Sequence, residues 1–189
     1  MPAVLVGWCW GAFPVVTAAL ELGTSISGVV LVAPGLFPSE QVKCAIRESL
    51  PNDEGVDAAC PVLRSPIAEE MFSDRLEIRE FIHTDDAAQK LFTPRFFQIS
   101  REISLIATVR LSQLTQPVLL LLAANDKAVD NERTITAMRR IRGASVTTAM
   151  LAANHGMQFE VPEEIATRIS SWLPYTGIQS GGRVAEKRS

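Results

Sequence analysis

The chain has 189 residues, 47% of them hydrophobic and 21% charged, a balance that predicts a packed core and excludes a disordered chain. Its 18 Lys and Arg stand against 21 Asp and Glu, so the basic face of a dedicated nucleic-acid binder is not expected. The longest aliphatic run, Val118 to Ala124, is far too short to span a bilayer, and three cysteines without a close pair (Cys9, Cys44, Cys60) exclude a disulfide scaffold and predict a cytoplasmic location.

Met1 to Trp10 has no basic n-region and no small-residue cleavage site, so no signal peptide is predicted. Ala3 to Val6, ended by Gly7, is wholly apolar. Such a run predicts a strand buried on both faces, as inside a parallel sheet. A central strand needs two neighbours, so its place at the start predicts that strands preceding it are missing. Trp10 to Leu22 predicts a helix on the spacing of Phe13, Val16 and Leu20, with Pro14 near its first turn and Gly23 closing it. Val29 to Ala33 is a second buried strand, stopped by Pro34-Gly35. Strand, helix and strand in this order form a right-handed βαβ unit with a parallel pair.

From Phe37 to about Leu114 no strand pattern appears. Helices are predicted around Ser39–Leu50, Ser65–Ile82 and Asp85–Phe92. A further helix starts at Thr93 as N-cap with Pro94 at its first position, and Phe96, Ile99, Ile103 and Ile106 follow at helical spacing. The segment reads as an all-helical insertion between two strands. Strand character returns over Pro117 to Ala124. Asn131 to Arg142 predicts a helix with Asn131 as N-cap and three arginines at its C-terminal end. Ser145 to Ala152 is a fourth strand. Pro162 to Leu173 is a final helix, burying Ile165, Ile169 and Trp172. The predicted organisation is an α/β core from 1–36 and 115–174, a helical insertion over 37–114, and a mobile polar tail over 175–189.

Gly7-Trp8-Cys9-Trp10-Gly11 joins a strand to a helix. This is the G-x-S-x-G nucleophile elbow with Cys in the serine position. The nucleophile of such a turn sits in strained backbone, and the residues two before and two after crowd the neighbouring chain, so both are expected to be small. The helix N-terminus favours a thiolate at Cys9. A free cysteine is more often inert core, but the two glycines and the strand-to-helix position favour the nucleophile. Asp126 follows the Pro117 strand at its C-terminal end, where open α/β sheets place their sites. Asp130 competes with it, and Asp126 is favoured as the nearer to the strand. His155, in Asn154-His155-Gly156 after the fourth strand, is placed to be general base and then general acid to Cys9. The order nucleophile, acid, histidine makes the set more convincing than any member. His83 is expected to be solvated. No metal-ligand spacing and no phosphate-binding glycine motif occurs, so no metal and no cofactor are expected.

These motifs, with Val-Val-Leu-Val-Ala-Pro-Gly, Pro-Val-Leu-Leu-Leu-Leu-Ala-Ala-Asn-Asp and Ala-Asn-His-Gly, resemble the α/β-hydrolase superfamily over Ala3 to about Leu173. Within it the chain looks most like the lysophospholipase, monoacylglycerol-lipase and serine-aminopeptidase branch. The resemblance implies that 37–114 is a helical lid between the sixth and seventh strands and that the backbone N–H of Trp10 is one oxyanion-hole donor. It also implies a small, apolar acyl substrate. Two departures stand out: the usual serine is Cys9, as in dienelactone hydrolases, and about four strands precede the elbow strand in the family. One of those strands leads to the second oxyanion donor, whose loss typically costs about 10²–10³ in rate. The elbow strand is then expected to be an exposed edge open to self-association. Three functions follow in order: a Cys-His-Asp hydrolase of carboxylic esters or related acyl bonds, inactive in this chain if the missing donor is essential; a non-catalytic scaffold of the same fold; and a thiol redox sensor at Cys9.

Overall fold

Two aliphatic runs, Val29 to Val32 and Val118 to Ala123, build the centre of the molecule. The computed structural model describes residues 3–49 and 63–177. In chain order its elements are β1 (Ala3–Trp8), α1 (Ala12–Leu22), β2 (Ile26–Val32), α2 (Glu40–Ser49), β3 (Leu63–Arg64), α3 (Glu69–Phe72) and α4 (Leu76–Thr84). They continue with β4 (Leu91–Phe92), α5 (Pro94–Arg110), β5 (Val118–Ala123), α6 (Asn131–Met138), β6 (Val146–Leu151), α7 (Met157–Glu160) and α8 (Pro162–Trp172). β1, β2, β5 and β6 form one parallel sheet in that order, the α/β architecture expected from the sequence.

β2 and β5 lie in the middle and are buried on both faces. Val29, Leu31, Val118, Leu120 and Leu122 point to one side, where they pack with Phe13 and Val16 of α1, Ala107 of α5 and Met138 of α6. Val30, Val32, Leu119 and Leu121 point to the other, against Met157, Trp172 and the partly buried Ile165 and Ile169 of α8. The alternate side chains of a strand face opposite ways, so each strand serves both cores. A buried Gln116 ties the lower edge together: its Nε2 donates to the Ala19 and Gly23 carbonyls at the end of α1, at 3.0 and 2.8 Å.

Several sequence expectations are corrected. β1 is not buried on both faces: it pairs only with β2 among the described residues, and Val6 is 55% exposed. Its apolar sequence does not reveal how many neighbours it has, and the exposed edge expected for it is present. The segment after β2 is not all-helical, because Leu63–Arg64 and Leu91–Phe92 pair as a short antiparallel ladder. That ladder takes the place of the helix predicted over Asp85–Phe92. The single helix predicted over Ser65–Ile82 is two, α3 and α4, broken where the Ser73 hydroxyl accepts from the Arg75 N–H. Thr93 does cap α5, its hydroxyl accepting from Phe96 N at 3.2 Å. The isoleucine stripe of α5 is not its buried face: Ile99, Ile103 and Ile106 are exposed while Phe97 and Ala107 turn inward. α6 is capped by Asp130 rather than Asn131, and it ends at Met138. The predicted tail begins with structure, a short turn of 3-10 helix over Leu173–Thr176; the part of the tail from 178 onward lies outside the described residues, as do Leu50 and Cys60. No helix among the described residues is long and apolar enough to cross a membrane.

Candidate active site

The elbow is built by a steric exception. β1 runs into a single turn of 3-10 helix, Cys9–Gly11, and then α1, which leaves no room at Gly7. A Cβ there would lie 2.6 Å from the Gly11 carbonyl oxygen and 2.9 Å from its carbon. Gly11 is different: a Cβ on it would meet nothing within 4 Å, and its backbone is ordinary right-handed helix. The expectation that both glycines are crowded therefore holds for Gly7 alone, because the close approach runs from the Gly7 α-carbon to the Gly11 backbone. Cys9, between them, has φ of 49°, a conformation that costs an L-residue about 1–2 kcal/mol and needs its surroundings to hold it. Ala33, at the end of β2, is the other non-glycine with positive φ among the described residues. The Pro34-Gly35 turn that follows folds onto the elbow, and Gly35 N donates to the Cys9 carbonyl at 2.9 Å. Both strained residues thus lie at the C-terminal ends of neighbouring strands.

Asp126 lies just beyond β5. One carboxylate oxygen accepts from the Ala128 and Val129 amides at 2.8 and 2.9 Å. The other is 2.9 Å from His155 Nδ1, and both side chains are fully buried. An ionised carboxylate only accepts, so Nδ1 carries the proton and Nε2 is left for other work. Asp130 is excluded from this role. Its carboxylate accepts from Arg133 N at 2.9 Å as the cap of α6, and its own amide donates to the Phe37 carbonyl.

His155 Nε2 is buried and has no hydrogen-bond partner among the described residues. Cys9 lies close enough to act on the ring. Burial alone disfavours the imidazolium; the Asp126 hydrogen bond and the Cys9 sulfur outweigh it and push the His155 pKa up to about 10. The structure therefore brings together the three side chains that the sequence singles out. His83 stands apart and exposed, 2.9 Å from Glu69. Among the described residues no cluster of three His, Cys, Asp or Glu side chains could hold a metal.

The two tryptophans of the elbow diverge. Trp8 packs against His155 and Phe72, with centroids 5.8 and 6.1 Å away, and its indole N–H donates to the His155 carbonyl. Trp10 packs on Phe92 of β4 and on Phe96 and Phe97 at the start of α5. Phe72, Phe92, Phe96 and Phe97 are thus anchored on the tryptophans of the elbow. A cavity of about 680 Å³ opens at Cys9 and Trp10, walled by Phe13, Val42, Ile46 and Phe97.

A polar clamp that sequence reasoning missed fixes the histidine loop. Asn154 N donates to Glu160 at 2.6 Å, and Asn154 Nδ2 reaches both Glu160 and Asp74 at 3.2 Å. The Ser73 hydroxyl donates to the same Glu160 carboxylate, and Lys127 pairs with Asp74 at 3.1 Å. The His155 and Gly156 amides donate to the Met71 and Phe72 carbonyls at 3.2 and 2.8 Å. Burial resists the Glu160 charge, but the bonds from Ser73 and Asn154 hold its carboxyl below the usual range. Ser73 and Asp74 stand 87 and 80 residues from their partners Glu160 and Asn154, which leaves no local signal for that side of the clamp.

Known proteins share this fold. A family model described as serine aminopeptidase, S33, matches residues 1–161. The fold matches the monoacylglycerol lipase of Paleococcus ferrophilus at a TM-score of 0.73 and 18% identity, covering 93% of this chain and 69% of that one. It matches a soluble variant of monoglyceride lipase from Saccharomyces cerevisiae, bound to a substrate analogue, at 0.72 and 12%, covering 95% and 64%. An esterase from Thermogutta terrifontis matches at 0.57 and 20%, covering 94% and 66%. The chain thus spans about two thirds of the length of these structures. No curated protein matches it by sequence.

Proposed function

The chain belongs to the serine aminopeptidase S33 family of α/β-hydrolases, and from that premise we propose that it hydrolyses carboxylic esters through a Cys9-His155-Asp126 triad. The observation that carries the reading is the fully buried His155, bonded to Asp126 through Nδ1, with Nε2 unpartnered beside a strained Cys9. In this mechanism Nε2 holds the proton given up by the Cys9 thiol, in keeping with the raised His155 pKa, and sulfur attacks the ester carbonyl. The Trp10 backbone N–H donates to the oxyanion, and Asp126 balances the imidazolium. The intermediate collapses with loss of the alcohol, which receives its proton from His155. Water, deprotonated by the same nitrogen, then attacks the thioester and releases the acid and the Cys9 thiol.

The apolar walls of the 680 Å³ cavity suit an acyl chain, and the helices between β2 and β5 serve as its lid. Lipases and an esterase among the similar folds fit such a substrate. Turnover of p-nitrophenyl butyrate by the purified chain tests the reading. Activity that vanishes in Cys9→Ala and in His155→Gln supports it, and activity that survives both removes it. The unpaired outer edge of β1, with Val6 half-exposed, supports self-association of the isolated chain, which sedimentation against concentration would reveal.

A further inference from the structure

The cavity at Cys9 is not uniformly apolar. Its wall toward α2 and α5 carries Lys43, Arg47 and Arg101 against a single carboxylate, Glu40. That is a local excess of two positive charges, in a chain whose net charge is −3. Glu40 is largely committed to Lys43, at 2.6 Å, and lies farther from Arg47, at 3.7 Å. Arg101 joins the lining from α5, with Ser104 and Phe97, and is itself exposed. It forms no ion pair among the described residues. The cations therefore converge on the space that the nucleophile shares from two separate helices. Even with Lys43 and Arg47 both held to Glu40, three lining cations against one carboxylate leave the wall short of negative charge.

We propose that this cavity takes acyl substrates bearing an anionic group, with the chain against Phe13, Val42 and Phe97 and the anion at Arg101, Arg47 and Lys43. The inference rests on Cys9 being the nucleophile, and it adds the substrate's charge. An arginine pairs with a carboxylate or a phosphate through two parallel N–H bonds. By Coulomb's law a cation on the order of 10 Å from a reacting anion changes its rate by about twofold in water and about sixteenfold at an effective dielectric of about 20, so an exposed arginine at the cavity mouth is expected to give about threefold to fivefold.

The test uses alkylation of Cys9 in the full chain, read peptide by peptide by mass spectrometry so that Cys44 and Cys60 are scored separately. Sulfur displaces iodide from the reagent's methylene carbon: the S–C bond forms, the C–I bond breaks, and the thiol proton leaves to His155 or solvent. Iodoacetate and iodoacetamide are nearly the same size but differ in charge, so the readout is the change in the ratio of their rate constants between variants, from which intrinsic reactivity and any change common to both cancel. Arg101→Gln is expected to lower the ratio about threefold to fivefold, Arg101→Lys to restore most of it, and Lys43→Gln with Arg47→Gln to lower it further. In 1 M salt, where screening acts within about 3 Å, the differences should collapse. A ratio that stays within the wild-type error in Arg101→Gln and in the Lys43 and Arg47 variant overturns the inference while leaving Cys9 a nucleophile. Failure of Cys9 to react with either reagent overturns the nucleophile itself, and the inference with it. Protection of Cys9 by octanoate, octyl phosphate and octanol then separates the anions: stronger protection by octanoate assigns a carboxylate, stronger protection by octyl phosphate a phosphate. Protection by octanol equal to both also overturns the inference.

Discussion

One methyl group placed at Gly7, and the same group placed at Gly11, separate the elbow's geometry from its sequence pattern. In Gly7→Ala the new Cβ would stand 2.6 Å from the Gly11 oxygen, 2.9 Å from its carbon and 3.0 Å from Ala12 N. Ordinary contacts between such atoms fall at about 3.5–4.0 Å. All three neighbours are backbone, so no side chain can swing aside, and the turn must open. Overpacking of this kind costs about 1–3 kcal/mol. For a chain of this size each kcal/mol shifts Tm by about 2–4 °C, so a fall of about 2–12 °C is expected. Opening the turn also relaxes the positive φ that aims Cys9, so its alkylation rate should fall with Tm. In Gly11→Ala the Cβ meets nothing within 4 Å and φ is −59°. That variant should be neutral or gain about 0.4–1 kcal/mol by reducing unfolded-chain entropy. Calorimetry on both variants, with the iodoacetamide rate at Cys9 beside it, makes the comparison. A Gly11→Ala protein destabilised as much as Gly7→Ala, or a Gly7→Ala protein that melts like wild type, would refute the reasoning.

Asp126→Asn should lower ester turnover on the order of 10³–10⁴-fold by turning the imidazole to the wrong tautomer. Asp130→Asn should keep turnover, and Asp130→Ala should cost about 0.5–2 kcal/mol of stability through the lost cap; pH-controlled kinetics and denaturant curves distinguish them. His155 has a folded pKa of about 10 against 6.5, so its stabilising contribution is full below about pH 6.5 and is lost as pH rises toward 10. Cys9→Ala should bring the His155 titration, followed by NMR, to lower pH by removing the sulfur's share; an unmoved titration would contradict that assignment. Glu160→Gln should cost about 1–3 kcal/mol by loosening the Asn154 amide and the Ser73 hydroxyl. Because the Glu160 pKa is lowered in the fold, wild-type stability should drop as pH falls below about 4.5, more steeply than in the variant.

The parallel sheet was legible because Val29 to Val32 and Val118 to Ala123 are apolar without a break, and an apolar run bounded by Pro, Gly or Asn has few other uses. The elbow was legible because a strand entering a helix within four residues tolerates little but glycine at Gly7. Asp126 and Asp130 are equivalent as residue types four positions apart, and only the turn after β5 decides that one meets His155 while the other caps α6. Ile99, Ile103 and Ile106 keep helical spacing, yet α5 also carries Phe97, Ser100, Ser104 and Ala107 at that spacing. Periodicity identifies the helix and leaves open which face packs; here the small residues approach α1 and the cavity. β3 and β4 are two residues long, too short for any alternation. Ser73 and Asp74 reach Glu160 and Asn154 only through the tertiary fold, so neither carried a signal in sequence.

The central claim is that Cys9, activated by His155, forms a thioester with the acyl group of its substrate. Rapid acid quench of the chain with p-nitrophenyl butyrate, followed by peptide-resolved mass spectrometry, tests it at the atom concerned. The account predicts a butyryl adduct on Cys9, at near-stoichiometric yield in the first turnover, and none on Cys9 in His155→Gln. Release of p-nitrophenol with no adduct on Cys9, or with the acyl group on another residue, would contradict it.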